Sequence, residues 1–225
     1  MSELFTEIRP AIVLTLQLAF FSTLILMVLA TPLAWWLTIS KRRMRPLIEA
    51  LVTLPLVLPP TVIGFYLLVL MNPNAPLGGA WLRLTGETLA FSFSGLLLAS
   101  VIYSLPFAVQ PLRAAFQSVG TGPREVATTL GASPLQAFFS VVLPLSRRGF
   151  LSAAVLSFAH TLGEFGIVLM VGGNIPGHTR VISIEIFNRV ETLDYSGAHV
   201  LSFGLLILSF LALALTYFLS REPQT

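Results

Sequence analysis

Four polar side chains recur at helical spacing inside one apolar stretch. In 149–166, Ser157, His160, Thr161 and Glu164 fall at i, i+3, i+4 and i+7, a single helical face. Two hydroxyls, an imidazole and a carboxylate can hydrogen-bond a polar solute, relay a proton or pair with one another. Glu164 lies about eight residues from the outer end of this stretch, roughly 12 Å deep at a 1.5 Å rise per residue. Burying a carboxylate there costs at least about a few kcal/mol unless it is paired or hydrated, so it must face a cavity or another helix. Two readings stand side by side. Glu164 forms a structural pair with His160 or a neighbouring span, or Ser157, Thr161 and Glu164 line a solute pathway. On a pathway the carboxylate would repel an anion and prevent its tight trapping, or act at a gate. Gly163 and Gly166 mark close helix approach or a local bend.

A second segment carries the remaining polar chemistry. Glu125-Val126-Ala127-Thr128-Thr129-Leu130-Gly131 is followed, after nine intervening residues, by Val141-Val142-Leu143-Pro144. Thr121 to Glu125 reads as a helix start, with Pro123 near the first position and Glu125 complementing the helix dipole. Gly131 is a stop. Ser133-Pro134-Leu135-Gln136 matches a capping box that opens a second helix, and Pro144 ends that helix or bends it. Two short helices at an angle result. Val126 and Leu130 share one apolar face, while Leu135, Phe138, Phe139 and Val142 form another. These faces pack on each other and on the bilayer surface, or meet a partner outside the membrane. An acid at a helix start needs no partner by itself.

The elements that position these groups are membrane spans. Of the 225 residues, 55% are hydrophobic and only 10% charged, against about 25% charged in a soluble domain. Cysteine is absent, so disulfides and thiolate chemistry are excluded. Five crossings are expected, at 11–39, 47–71, 91–117, 149–172 and 198–219, each with the ~20 residues needed to cross ~30 Å of hydrocarbon. The first and third are long enough to tilt, kink or extend beyond it. The 40–46 and 118–148 segments, the inner edge of the third span and the tail after the fifth carry nine cations: Lys41, Arg42, Arg43, Arg45, Arg113, Arg124, Arg147, Arg148 and Arg221. The opposite side holds four, Arg9, Arg83, Arg180 and Arg189. This bias places the 118–148 loop and the C-terminus in the cytoplasm and the N-terminus outside. It also accounts for the net charge of +3 without a nucleic-acid partner, and makes Lys41–Arg45 a topology determinant.

Proline recurs within the spans, at 32, 55, 59, 60 and 106, with Pro111 near an end. Each removes a backbone donor and crowds the preceding turn. The close set at 55, 59 and 60 predicts an irregular segment in the second span. Outside the membrane, 173–197 mixes apolar and charged residues. It is an interfacial helix, a gate element or a solvated loop, with His178, Arg180, Arg189, Glu191 and Asp194 as a possible docking surface.

The loop spacing resembles the EAA loop of binding-protein-dependent ABC importer permeases, with Val126 in place of the first Ala of that pattern's repeat and Val141 in place of an Ile. Leu54-Pro55-Leu56-Val57-Leu58-Pro59-Pro60-Thr61-Val62-Ile63-Gly64 is similar to the second-span signature of molybdate and sulfate permeases. Ala127 to Pro134, Leu162-Gly163-Glu164-Phe165-Gly166 and Asn174-Ile175-Pro176-Gly177 are similar to the same group. The short chain and the Asn-Ile-Pro-Gly turn resemble the molybdate type more closely.

The resemblance implies an all-α polytopic protein with the type I ABC importer permease fold, one transmembrane domain over 1–225 with a cytoplasmic coupling loop at 118–148. It implies a bacterial inner-membrane subunit that imports molybdate by alternating access, itself without enzymatic activity or cofactor. Two copies of an ATPase, a periplasmic or extracellular molybdate-binding protein, a second copy of the chain and the bilayer are the implied partners. Coupling is expected at Glu125, Ala127 and Gly131, with Arg124 and Pro144 beside them. Because the chain has no Walker-type phosphate loop, nucleotide chemistry would come in trans. No Lys or Arg sits in the middle of a span, so affinity for an anion would reside in the external binding protein. Sulfate, thiosulfate or tungstate import is the nearest rival. An ion-coupled transporter using Glu164 and His160 as a proton relay, or a non-transporting anchor, are rivals of other classes.

Overall fold

The computed structural model describes residues 2–220, and among these there is no strand. Helix α1 (Ser2–Ile39) is followed by α2 (Arg45–Thr53), a 3-10 turn (Leu54–Leu56), α3 (Pro60–Met71) and α4 (Pro76–Thr85). Next come α5 (Phe93–Val119), α6 (Gly122–Thr129) and a composite helix made of α7 (Pro134–Ala137), a π-helical turn (Phe138–Val142) and α8 (Leu143–Leu145). The chain closes with α9 (Arg147–Gly163), α10 (Gly166–Gly172), α11 (Ile182–Glu191) and α12 (Tyr195–Ser220).

The expected crossings divide into two kinds. Ile8–Ile39, Phe93–Val119 and Tyr195–Leu215 are single helices long and apolar enough to span. Two further pairs reach that length only when each is counted as one broken span: Arg45–Leu56 with Pro60–Met71, turned by 109°, and Pro134–Leu145 with Arg147–Gly163, turned by 72°. The crossing expected at 47–71 is thus two short helices broken at 57–59, the irregular segment that the proline set predicts. Pro59 and Pro60 supply the reason, since neither has an N–H to continue the helix. Pro32, Pro106 and Pro111, by contrast, lie inside unbroken helices. The expected fourth crossing at 149–172 is also not one helix, because α9 stops at Gly163 and α10 restarts at Gly166. Arg221, one of the nine cations, lies outside the described residues.

The centre is α5, packed between α1 and α9. Between apolar helices in lipid, close van der Waals packing rather than water exclusion drives association, and small residues permit it. Ala30, Ala34, Ala108 and Ala153 are fully buried in one of the two clusters of this core. Gly149 shows how tight the seam is: a Cβ built there would stand 2.2 Å from the Ala115 Cβ. A second cluster around Leu18, Met71, Leu96 and Ile167 joins α3 and α10 to α1 and α5.

Outside the bundle, 72–90 holds a helix that the hydrophobic pattern did not announce. Its signal was there in the turn chemistry, Pro76 at the first position and Gly86 just past the end. The 173–197 segment contains α11, whose Ile182 N–H donates to the Thr15 Oγ1 of α1 at 2.8 Å. Arg189, which one of the readings placed on a docking surface, is 8% exposed and engaged by Glu185 and Asp194.

The end of α11 carries a strained residue. Leu193 N–H donates to Val190 O and Asp194 N–H to Arg189 O, the double bond pattern of a Schellman stop. Leu193 therefore takes φ +62, the left-handed region, while its side chain is 71% exposed. An L side chain there costs roughly 1–2 kcal/mol. Leu193→Gly should raise the thermal midpoint of the purified protein by about 0.5 kcal/mol of stability, the relief of that strain less the chain entropy that glycine adds to the unfolded state. An unchanged or lower midpoint would show the strain to be absent.

Candidate coupling loop and polar seam

The 118–148 segment folds as two helices joined by a tight reversal. α6 starts at Gly122 with Pro123 in its first turn, and Glu125 sits in that turn. Its end is a Schellman stop: Gly131 N–H donates to Thr128 O and Ala132 N–H to Ala127 O, each at 3.0 Å. Gly131 takes φ +89, which explains the glycine in the motif. The second helix opens with the expected capping box. Ser133 Oγ accepts from Gln136 N–H and Gln136 Oε1 accepts from Ser133 N–H at 2.8 Å. Pro144 does not end this helix at once. The preceding π turn, with Leu143 N–H donating to Phe138 O, widens the backbone one turn before the proline, where an α-helical carbonyl would meet its ring. The 72° turn into α9 then falls at Ser146.

The first apolar face of the loop is exposed and the second is split, with Leu135 and Phe139 exposed. Phe138 and Val142 are buried against the bundle. Val126, Leu130 and Leu135 are 61%, 83% and 67% exposed, beside an exposed Glu125. Within the chain, therefore, Val126 and Leu130 do not pack on the second face. Ala127 and Arg124 are half-buried. The Arg124 guanidinium lies 5.9 Å from the centre of the Trp35 ring of α1, within cation–π range.

The polar residues of α9 meet α5. Ser104 Oγ is 2.9 Å from His160 Nδ1 and 3.2 Å from Thr161 Oγ1. Phe107 stacks on the His160 ring with centroids 3.9 Å apart. Thr161 also donates to Ser157 O at 3.0 Å, whereas the buried Ser157 Oγ meets no protein partner. Ser157, Thr161 and Glu164 are all buried. Glu164 stands just past the end of α9, with an extended backbone (φ −68°, ψ 131°), and still lies beside His160 four residues back. Its Oε1 accepts from Ile167 N–H at 3.1 Å, capping α10, and its Oε2 is 4.0 Å from His160 Nε2. Its carbonyl accepts from Ser183 Oγ at 2.5 Å. Backbone donors thus satisfy a carboxylate that would otherwise be costly at this depth.

Ser104, Phe107 and Ser183 were not anticipated. Ser104 was findable as a hydroxyl within an apolar span; Ser183 depends on a tertiary approach that no spacing encodes. Between α2 and α5, Glu49 and Arg113 form an ion pair that removes one of the expected inner cations from the free surface.

A family profile described as binding-protein-dependent transport system inner membrane component matches residues 19–223. The chain is 55% identical to the molybdenum transport system permease protein ModB of Azotobacter vinelandii over 207 residues, 92% of each chain. It is 34% identical to the ModB of Escherichia coli K12, over 94% of this chain and 93% of that one. The sulfate transport system permease protein CysT of the same strain is 34% identical over 92% of this chain and 74% of its own length. Among solved structures, an inward-facing MetNI methionine ABC transporter superposes with a TM-score of 0.77 at 16% identity, covering 97% of both chains. A bacterial ABC transporter for alginate import gives 0.75 at 17%, covering 96% of this chain and 80% of that one. At such identities the likeness is one of fold, and that fold is the type I importer permease fold that the motifs implied. With the profile spanning nearly the whole length, the chain belongs to the family of binding-protein-dependent transport system inner membrane components.

Proposed function

We infer that this chain is the membrane-spanning subunit of a molybdate ABC importer, working by alternating access and driven by ATP hydrolysis in a separate cytoplasmic ATPase. One observation carries the coupling role: α6 leaves Glu125, Val126 and Leu130 exposed on a helix closed by the Gly131 stop. Exposed apolar side chains beside an acid, outside the apolar bundle, fit a partner's cleft better than water. In this reading residues 1–225 form one domain, 118–148 lies in the cytoplasm, the N-terminus is outside and the C-terminus inside. Two ATPase copies, a periplasmic or extracellular molybdate-binding protein and a second copy of this chain complete the importer. Arg124, Glu125, Ala127, Gly131 and Pro144 form or shape the docking element. The seam carrying Ser157, Thr161 and Glu164 lies along the pathway and offers only hydroxyls, an imidazole and an acid, which favours release of an oxyanion. The choice of molybdate over sulfate is supported by 55% identity to a molybdenum permease against 34% to a sulfate permease. Against a proton relay stands the engagement of Glu164 by a backbone N–H.

The deciding experiment is ATP-dependent uptake of radiolabelled molybdate into proteoliposomes holding this chain, its ATPase and its binding protein. Uptake is expected to require ATP, to be blocked by tungstate and to resist sulfate at equal concentration. Sulfate competition would move the substrate to sulfate, and uptake without ATP would overturn the importer class.

A further inference from the structure

We propose that Trp35 is the residue through which the coupling loop grips the first span, so that loop displacement is transmitted to α1 as well as to α9. The proposal rests on the coupling reading above and adds a positioning residue to it. Three elements converge on this indole. Arg124 of α6 covers it at 5.9 Å. Phe138, in the π turn of the second loop helix, packs on it with centroids 5.1 Å apart. Phe116, at the inner end of α5, meets it edge-on at 5.5 Å. Phe116 in turn touches Phe138 at 5.8 Å and Phe150 of α9 at 5.9 Å, which closes a ring cluster joining α1, α5, α9 and the loop.

The surroundings make this contact mechanically distinctive. Beside Trp35, an open apolar groove of about 550 Å³ runs between α1 and the second loop helix, lined by residues of both. Trp35 and Phe138 both line this groove and meet ring to ring within it. α6 itself is mostly exposed, and its Arg124 reaches back to α1. An indole serves this purpose because its face accepts the cation while its edges pack against phenyl rings. A leucine of comparable depth would pack but would not hold the guanidinium. Trp35 has no direct contact with solute or nucleotide in this scheme; it acts through Arg124 and Phe138.

The test uses the full importer in proteoliposomes, measuring molybdate uptake and ATP hydrolysis on the same preparation. Trp35→Leu should lower the molybdate moved per ATP hydrolysed by about fivefold, the scale of one cation–π contact. Trp35→Phe, which keeps an aromatic face, should restore most of it. Arg124→Gln should produce the same loss, and Arg124→Gln in the Trp35→Leu background should add nothing further. An additive double variant would show that Arg124 acts on the ATPase directly and would overturn the proposal. So would a wild-type ratio in either single variant. If Trp35→Leu fails to assemble, the Trp35→Phe and Arg124→Gln ratios decide alone, with Arg124→Lys as the conservative control. Failure of the underlying coupling reading looks different. There, Glu125→Ala and Gly131→Pro would leave ATPase association and uptake intact, whatever happens at Trp35.

Discussion

Gly131→Pro should abolish coupled transport, lowering ATP-driven uptake at least about tenfold, while the protein still inserts in the membrane. The left-handed φ of +89 at this position is closed to proline, whose ring holds φ near −65°. The change also removes the N–H that Gly131 donates to Thr128 O, so α6 loses its stop and the chain leaves it in another direction. Glu125, Val126 and Leu130 would then present to a partner with altered geometry. Gly131→Ala separates strain from redirection. A Cβ there meets nothing within 4 Å, so alanine adds only the backbone penalty of roughly 1–2 kcal/mol. Its uptake should fall much less than that of the proline variant. The comparison with Leu193 is internal to the molecule: the same stop holds a leucine at φ +62, so the geometry tolerates a side chain. Equal uptake by wild type and Gly131→Pro, measured with equal ATPase association, would remove the loop from the coupling path.

The contrast between those two stops shows what was legible beforehand. Gly131 announced its stop and Ser133 its capping box because both depend on neighbours within six residues. Leu193 gave no such signal, because its stop has the same local hydrogen bonds but no glycine to mark it. The same division holds for the spans. Hydropathy located α1, α5 and α12, since crossing length is a local property. The proline set announced an irregular segment in 47–71, but not a turn of 109°. Glu164 combines both kinds of signal, since its pairing distance to His160 follows from the spacing but the end of the helix beneath it does not. Its spacing from Ser157 and Thr161 put it on their helical face, yet Gly163 ends α9 and the carboxylate turns to cap α10. A local donor, Ile167 N–H, competed with the periodic pattern and won. Likewise Arg113 entered the expected charge bias as a free cation, while its pairing with Glu49 of α2 was invisible at 64 residues of separation.

A different kind of dependence governs the outer segment, where removing Arg189 should cost about 3 kcal/mol. Its Nε donates to Glu185 Oε1 at 2.9 Å and its NH1 to Asp194 Oδ2 at 2.7 Å, bridging the body of α11 to the start of α12. Arg180 approaches the other Glu185 oxygen at 3.3 Å, and Asn174 joins Arg180 to Asn188. The Gly197 N–H, together with Arg189, holds the Asp194 carboxyl below the usual aspartate range. A lowered folded value means that this contact contributes fully above the ordinary aspartate pKa and is lost only as pH falls through the lowered one. Arg189→Leu would leave Glu185, 7% exposed, with Arg180 alone and would free the start of α12. For a chain of this size the thermal midpoint should drop by roughly 6–12 °C. Lysine should recover only part of the loss, because one ammonium cannot match the fork that meets two carboxylates. The informative variant is Glu185→Leu with Arg189→Leu. A buried pair replaced together by apolar side chains is often neutral, whereas one charge left alone is not. The double variant should therefore be more stable than Arg189→Leu. If it is less stable, or if Arg189→Leu melts within about 2 °C of wild type, the outer segment is held by packing and the ion pairs are incidental.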